Sequence, residues 1–466
     1  MAYTEFYVTK GALAANTCGG GPNLGADDGP IYALVGGTGA GATAVDNGAN
    51  SNIEDLSNGG WSGVAVDDWL CFDTAGAKQF ARVIARDVGG VDFITVSPQV
   101  TAAADKTCKV GGAWATVDFA ASTVTTAFVN AAGEPPRVNI GLGTYAETVV
   151  MDNSFAYNLP GAFEGYQATA GDGCPAGTRP IIDGTGIAAA VIAATNMDYL
   201  RFRHLSLVTN LDQYCLMLNS ANDAAVENVT AANSFAGAAT KACFYFSERV
   251  KAINCAVTDS PGDGFRTISY DCVLVGCRAS GCARYGFYFN QSSSTAIGCI
   301  ASGNGDDGFY LDQYGGILMN SVSYDNAGSG IRLDDAATPT KPLPIINCIF
   351  AENAVAGIEC DVNTYGPYAD YNAFYRNGPD PFTTHRLNIG AGAHDVTLTA
   401  DPFVNAAGGN FALNSAAGGG ALLKAAGFPG TLIDAVNIGY TDIGALQVQA
   451  AGGGGMLFAP DMSGGL

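Results

Sequence analysis

Histidine is almost missing from this 466-residue chain, which holds three (His204, His385, His394), and basic residues are few. It has 21 Lys and Arg against 43 Asp and Glu, a net charge of −22. So few histidines leave little room for a histidine-based catalytic triad or a His-rich metal site. The acidic balance argues against nucleic acid as a partner, because phosphate binding needs a basic footprint. It favours soluble, self-repelling surfaces and leaves room for divalent cations. No run approaches the roughly 18 apolar residues of a membrane span, so membrane insertion is not expected. The opening MAYTEFYVTKGALAANT lacks a basic stretch followed by an apolar one, and no secretory signal is expected from it. There is no CxxC pair of zinc-finger spacing among the 13 cysteines, an odd number. Buried thiols packing as small hydrophobes are the expectation.

Glycine is abundant, at 63 residues, but dispersed among aliphatic and aromatic ones, so the chain is neither collagen-like nor wholly disordered. Its placement is periodic. Asp263-Gly264-Phe265, Tyr285-Gly286-Phe287, Asp307-Gly308-Phe309 and Ser329-Gly330-Ile331 follow at intervals of 22 residues, and Ala356-Gly357-Ile358 continues them after an insertion at 339–344. A second column runs Cys255, Cys277, Cys299, Ser321, Cys348. A fixed period in this range means stacked repeats. Leucine-rich repeats would show L-x-x-L-x-L and helical returns, whereas here short alternating segments are broken by Gly, Asn and Asp. The pattern predicts an all-β chain, a parallel β-helix of roughly 22-residue rungs, with the glycines at backbone corners. Alternation then puts Phe265, Phe287, Phe309, Ile331 and Ile358 in one inward stack, and Thr267, Phe289, Leu311, Leu333 and Cys360 in the next. The cysteine column reads as structural, since in-register neighbours keep their Cβ atoms beyond the roughly 3.8 Å of a disulfide.

A solenoid needs caps. Trp114, Val117, Ala121, Val124 and Phe128 form an apolar stripe at helical spacing, predicting a helix over 114–132 that Gly133, Pro135 and Pro136 stop. RVNIGLGTYAET (137–148) reads as the first rung. This helix-then-rung opening resembles that of pectate-lyase-like right-handed β-helices. The closing ADYNAFY, ADPF, NFAL and DIGA segments are similar to those of bacterial and phage β-helix repeat proteins. The resemblance covers roughly 110–449, and it implies a fold but no single activity, because that fold hosts lyases, hydrolases, adhesins and phage tailspikes. The expected organisation is an arm and small β domain for attachment over 1–109, with strands at 69–72, 79–84 and 91–96. A β-helix follows over 110–399, then a C-terminal cap over 400–449 and a Gly-rich tail over 450–466. That tail carries Met456, Leu457 and Phe458 as a candidate docking peptide for assembly.

Parity places Arg266, Tyr288, Tyr310, Arg332 and Glu359 in one outward column, and Ile268, Asn290, Asp312, Asp334 and Asp361 in another. Aromatic rings beside bidentate polar groups over several rungs suit an extended sugar chain. The candidate glycan-binding set is therefore Arg266, Tyr288, Tyr310, Asp312, Arg332 and Asp334, with the two tyrosine rings free to stack on sugars. The plainer reading is a set of ordinary solvated positions. Catalysis has a thin inventory, with Asp312, Asp334 and Arg332 as candidates. By resemblance, polygalacturonases would add a Gly-His-Gly that this chain lacks, and pectate lyases a Ca²⁺ held by clustered aspartates, here Asp312, Asp334 and Asp361. One-rung and two-rung carboxylate gaps, about 5 and 9.6 Å, fall near retaining and inverting separations. Asp306-Asp307 reads as a solvated loop pair.

Three functions compete. The first is a structural virion component, such as a phage spike, fibre or capsid-surface protein, made in a host cytoplasm and binding host glycans and other virion proteins. The second is a polysaccharide lyase or glycoside hydrolase, and the third a bacterial surface adhesin. By resemblance to β-helix spikes, a homo-oligomer is expected, a trimer above others.

Overall fold

The computed structural model describes residues 3–8, 116–126, 133–175, 177–237, 241–290, 293–312, 316–334, 344–360, 368–379, 385–428 and 442–445 in full, and the backbone of seven further strands between 31 and 110. The fold is all-β, a right-handed parallel β-helix. The chain divides into two compact units, 1–183 with 197–205, and 184–196 with 206–466.

In the first unit, Thr4–Val8 pairs in parallel with Pro136–Gly141, which pairs with Gly161–Tyr166, which pairs with Leu200–Arg203. The N-terminal strand thus belongs to the rung stack, and Arg137 ties it there by reaching Glu5 at 2.5 Å and Glu164 at 3.2 Å. The strands between 31 and 110 form a separate seven-stranded antiparallel sheet, which includes Trp69–Thr74, Ala77–Asp87 and Phe93–Ser97. The helix predicted over 114–132 is shorter, spanning Val117–Thr123. Thr116 caps it, Glu147 accepts from the Val117 and Asp118 amides, and Val117, Ala120 and Ala121 are buried. At Val124 the backbone is already extended. The run Thr123-Val124-Thr125-Thr126 is β-branched and resists helix, which outweighs the apolar spacing beyond it.

The second unit holds three parallel sheets. Sheet I includes Lys251–Ile253, Val273–Val275, Ser294–Ile297, Gly316–Met319 and Ile345–Ile346. Sheet II includes Arg278–Ser280, Ile300–Ser302, Val322–Tyr324, Ile349–Ala351 and Ala373–Tyr375. Sheet III includes Phe244–Phe246, Phe265–Thr267, Phe287–Phe289, Phe309–Leu311, Ile331–Leu333 and Ile358–Cys360. Along sheet III the step from Phe265 to Phe287, Phe309 and Ile331 is 22 residues, but it is 28 from Leu216 to Phe244 and 27 from Ile331 to Ile358. Corner loops lengthen the outer rungs while the register holds.

Like stacks on like inside. Phe244, Phe265, Phe287 and Phe309 lie with ring centroids 4.8, 4.9 and 4.9 Å apart, all buried. That spacing is the rung repeat itself, so each ring rests on the next without a void. Cys255, Cys277, Cys299 and Cys348 form the expected column of free, buried thiols. At another corner Asn304, Asn326, Asn353 and Asn377 make a buried ladder in which each Nδ2 donates to the next Oδ1 at 2.8 Å.

The corner glycines differ from expectation in their reason. Gly264, Gly286, Gly308 and Gly330 do not need a left-handed backbone; a Cβ on each would come within 2.6–2.8 Å of the carbonyl oxygen of the glycine in the next rung. The left-handed corners are filled elsewhere by short polar residues such as Asn254, Asn320, Asp325 and Asn347. Glycine here sets how closely rungs approach. Gly286→Ala should therefore cost about 2 kcal/mol through forced separation, read as a lowered denaturation midpoint. An unchanged midpoint would show that the corner can yield.

Candidate functional site

The outward face of sheet III carries the column read from parity, with Arg266, Tyr288, Tyr310, Arg332 and Glu359 in register. These side chains are fastened to one another. Tyr288 donates to Asp312 at 2.7 Å, Asn290 donates to both the Tyr288 hydroxyl (2.7 Å) and Asp312 (3.0 Å), and Tyr310 donates to Asp334 at 2.6 Å. The Arg266 guanidinium lies 4.6 Å from the Tyr288 ring centre, and that of Arg332 lies 5.9 Å from the Tyr310 ring. Tyr285 stacks on Tyr310 at 4.4 Å and tilts against Tyr288 at 5.6 Å.

These contacts correct the picture of free rings. Tyr288 is only 8% exposed, because Arg266 and Tyr310 of the neighbouring rungs and Tyr285 of its own rung close over it. It cannot offer a bare face to a sugar. Burial, followed by the bond to Asp312, raises the Tyr288 hydroxyl above its ordinary value, and Tyr310 is raised in the same way with Asp334. Both hydroxyls thus stay protonated as donors.

A second cluster escaped the sequence reading. It occupies the position just before each corner glycine, where Asp263, Tyr285, Asp307 and Ser329 follow one another. Asp263 is fully buried, with Arg266 and Arg284 each 3.7 Å from one of its oxygens. Burial raises its pKa although both arginines pull it down. Two partly exposed guanidiniums thus flank one buried carboxylate, with Asp306 also near it.

Asp307 overturns the solvated-loop expectation. It is 2% exposed; its Oδ1 accepts from the Ser329 amide at 2.6 Å and its Oδ2 has no hydrogen-bond partner. Burial, with Asp306 and Glu359 nearby, pushes its carboxyl up to about 7. Beside it Ser329 donates to Glu359 at 2.5 Å. The adjacent aspartates do not share one environment, since Asp306 is partly exposed while Asp307 turns in under the corner. The signal was in the repeat, as Asp307 holds the position that Asp263 and Tyr285 hold in earlier rungs.

Of the aspartates read as a calcium set, Asp312 and Asp334 sit on successive rungs, each taking a tyrosine hydroxyl, while Asp361 lies outside the described residues. Among the described residues no three acidic, His or Cys side chains converge as metal ligands. Met456, Leu457 and Phe458 also lie outside the described residues.

Residues 206–377 match a family described as the right handed beta helix region, and no curated protein matches the chain. Solved structures similar to it include pectate lyase Pel9A, with 14% identity over 72% of this chain and 91% of that one, at a TM-score of 0.42. The Azotobacter vinelandii mannuronan C-5 epimerase AlgE4 A-module is 15% identical over 58% of this chain and 91% of its own, at 0.33. The periplasmic alginate epimerase AlgG is 9% identical over 59% and 74%, at 0.27. At these identities the likeness is one of fold.

Asp307 makes stability depend on pH with a defined sign. A carboxyl whose folded value, about 7, exceeds its ordinary 3.8 favours the folded state when protonated. That stabilisation is complete below about pH 4 and is lost as pH rises through 7, by on the order of 4 kcal/mol for three units. Asp307→Asn keeps the acceptor for Ser329 and should flatten this stretch of the stability–pH curve. Denaturant titrations of both proteins at several pH values between 4 and 8 test it, and parallel curves would refute the assignment.

Proposed function

We propose that the chain is a structural, glycan-binding β-helix of the phage spike, fibre or capsid-surface kind, whose sheet III face meets an acidic polysaccharide. The observation that carries the binding reading is the paired Arg266 and Arg284 around buried Asp263, next to the tyrosine–aspartate ladder. The ladder's hydroxyls and carboxylates hold each other in fixed positions, so little side-chain entropy remains to be lost on binding. The guanidiniums supply bidentate donors for a carboxylate or sulfate. Repetition at about 4.8 Å per rung gives an extended ligand several contacts in line. The virion setting rests on the sequence-level resemblance and on a composition poor in the groups that usually carry catalysis.

In a direct test, polyuronate and sulfated oligosaccharides are titrated calorimetrically against wild type and Arg284→Gln. That substitution leaves Arg266 to neutralise Asp263. It should weaken binding about tenfold, a charge-assisted hydrogen bond being worth about 1.5–3 kcal/mol. Equal affinities, or no binding by wild type, would remove the reading.

A second reading, a polysaccharide lyase or hydrolase, is favoured by one feature. Asp263 and Asp307 are both buried with raised values, two rungs apart, a separation of about 9.6 Å. If either acts on substrate, incubation with polyuronates should release unsaturated or reducing ends, and Asp307→Asn should abolish that release. A variant as active as wild type would end this reading while leaving the binding face intact.

A further inference from the structure

Beside sheet III runs one more column, two residues before the corner position, with Lys241, Gly262, Arg284, Asp306 and Gly328 on successive rungs. The amides of Arg284, Asp306 and Gly328 donate to the carbonyls of Gly262, Arg284 and Asp306 at 3.2, 3.2 and 3.1 Å, which fixes the register. Charge changes sign along it. Lys241 and Arg284 are partly exposed cations two rungs apart, Gly262 between them has no side chain, and Asp306 follows as a partly exposed acid. The rung of Asp306 also carries Asp307 and Asp312 and has no cation of its own.

Lys241 heads the column in a built setting. Its ammonium lies 4.9 Å from the centre of the Tyr214 ring, and Tyr214 packs on Tyr245 at 4.8 Å. Asn233 secures the loop ahead of Tyr214 by donating to the carbonyls of Leu211 and Gln213 at 2.9 and 3.2 Å. Asp212 in that loop accepts from the Lys241 backbone amide at 3.1 Å. Among the described residues the Lys241 ammonium makes no ion pair, although acids outnumber bases two to one in this chain.

We propose that this face selects an acidic sugar chain whose carboxylates stand on alternate sugars, one held at Lys241 and the next at Arg284. The inference rests on the reading of sheet III as a glycan-binding face and adds the charge pattern of the ligand. Two rungs span about 9.6 Å, the length of a disaccharide, so every second sugar of a chain lying along the solenoid meets a cation. The sugar between them passes Gly262, where Arg266 and Arg284 already flank Asp263. The sugar beyond Arg284 meets Asp306. Its hydroxyls can donate to that carboxylate, whereas a further carboxylate there is repelled. The rings of Tyr214 and Tyr245, both partly exposed, give the first acidic sugar an apolar contact. Repulsion from the net charge of −22 is screened beyond about 8 Å at physiological salt. The local order of charges therefore decides which chain is held.

Three tetrasaccharides of one backbone test this by calorimetric titration of the full-length protein at physiological salt. They are cellotetraose, alternating glucuronate and glucose, and tetraglucuronate. The alternating chain should bind about tenfold more tightly than either of the others, and Lys241→Gln should remove about tenfold of its affinity while leaving cellotetraose unchanged. Asp306→Asn should strengthen tetraglucuronate binding, because the repelling charge is gone, and leave the alternating chain as it was. Lys251→Gln, on sheet I, serves as control and should match wild type. Circular dichroism and thermal melting confirm that each variant is folded. Tetraglucuronate bound as tightly as the alternating chain overturns the proposal, as does a folded Lys241→Gln that binds like wild type. If Arg284→Gln still weakens binding in either case, the sheet III reading stands without this charge pattern. No binding of any of the three overturns both.

Discussion

Register between rungs is the constraint on which the rest of this structure depends. Each rung meets the next through parallel backbone hydrogen bonds, such as Phe287 N to Gly308 O at 3.0 Å, and the corner glycines let the chains close to that distance. Once register is fixed, every repeat position becomes a column. Residues that would be strangers in sequence become neighbours at about 4.8 Å. Phenylalanines stack, thiols align, and asparagines donate to one another in turn. The same geometry that fills the core also writes the surface, because an outward column is as strictly aligned as an inward one.

That is why so much of the interior was legible and so much of the exterior was not. A period and a parity suffice to name the buried stacks from Phe265 to Ile358 and the cysteine column, since apolar residues in register have one favourable arrangement. The asparagine ladder was equally periodic at Asn304 and Asn326, but asparagine at a turn has a ready local explanation, which hid its role. For outward residues, parity gives direction and not burial. Tyr288 points outward and is still buried, because Arg266 and Tyr310 lean across from their own rungs, an effect of side-chain length that spacing does not encode. The predicted helix proved shorter for the opposite reason, as a local β-branched run overrode an apolar periodicity.

The buried acids follow from the same alignment. A carboxylate inside the corner is costly unless something offsets its lost hydration. Asp263 is offset by two arginines, one three residues ahead and one in the next rung. Asp307 has one amide and a more distant arginine, together with acidic neighbours in Asp306 and Glu359. Protonation is then the cheaper remedy. Two residues at the same repeat position are thus both raised by burial, Asp263 against the pull of two arginines and Asp307 to about 7. The difference lies in what the adjacent rungs happen to place alongside.

Columns also explain how one solenoid can divide its tasks among faces. A change at a single repeat position alters one spot, whereas a trend along a column alters a whole wall. Sheet II has become apolar outside and is roofed by its own C-terminal segment. Sheet III has become a wall of hydroxyls, guanidiniums and carboxylates in which each group restrains its neighbours. Sheet I, from Val273 to Met319, carries uncharged outward residues that stay partly exposed. These are three answers to the same physical demand, since an outward column must be hydrated, internally paired or covered. On sheets II and III the demand is met within the chain.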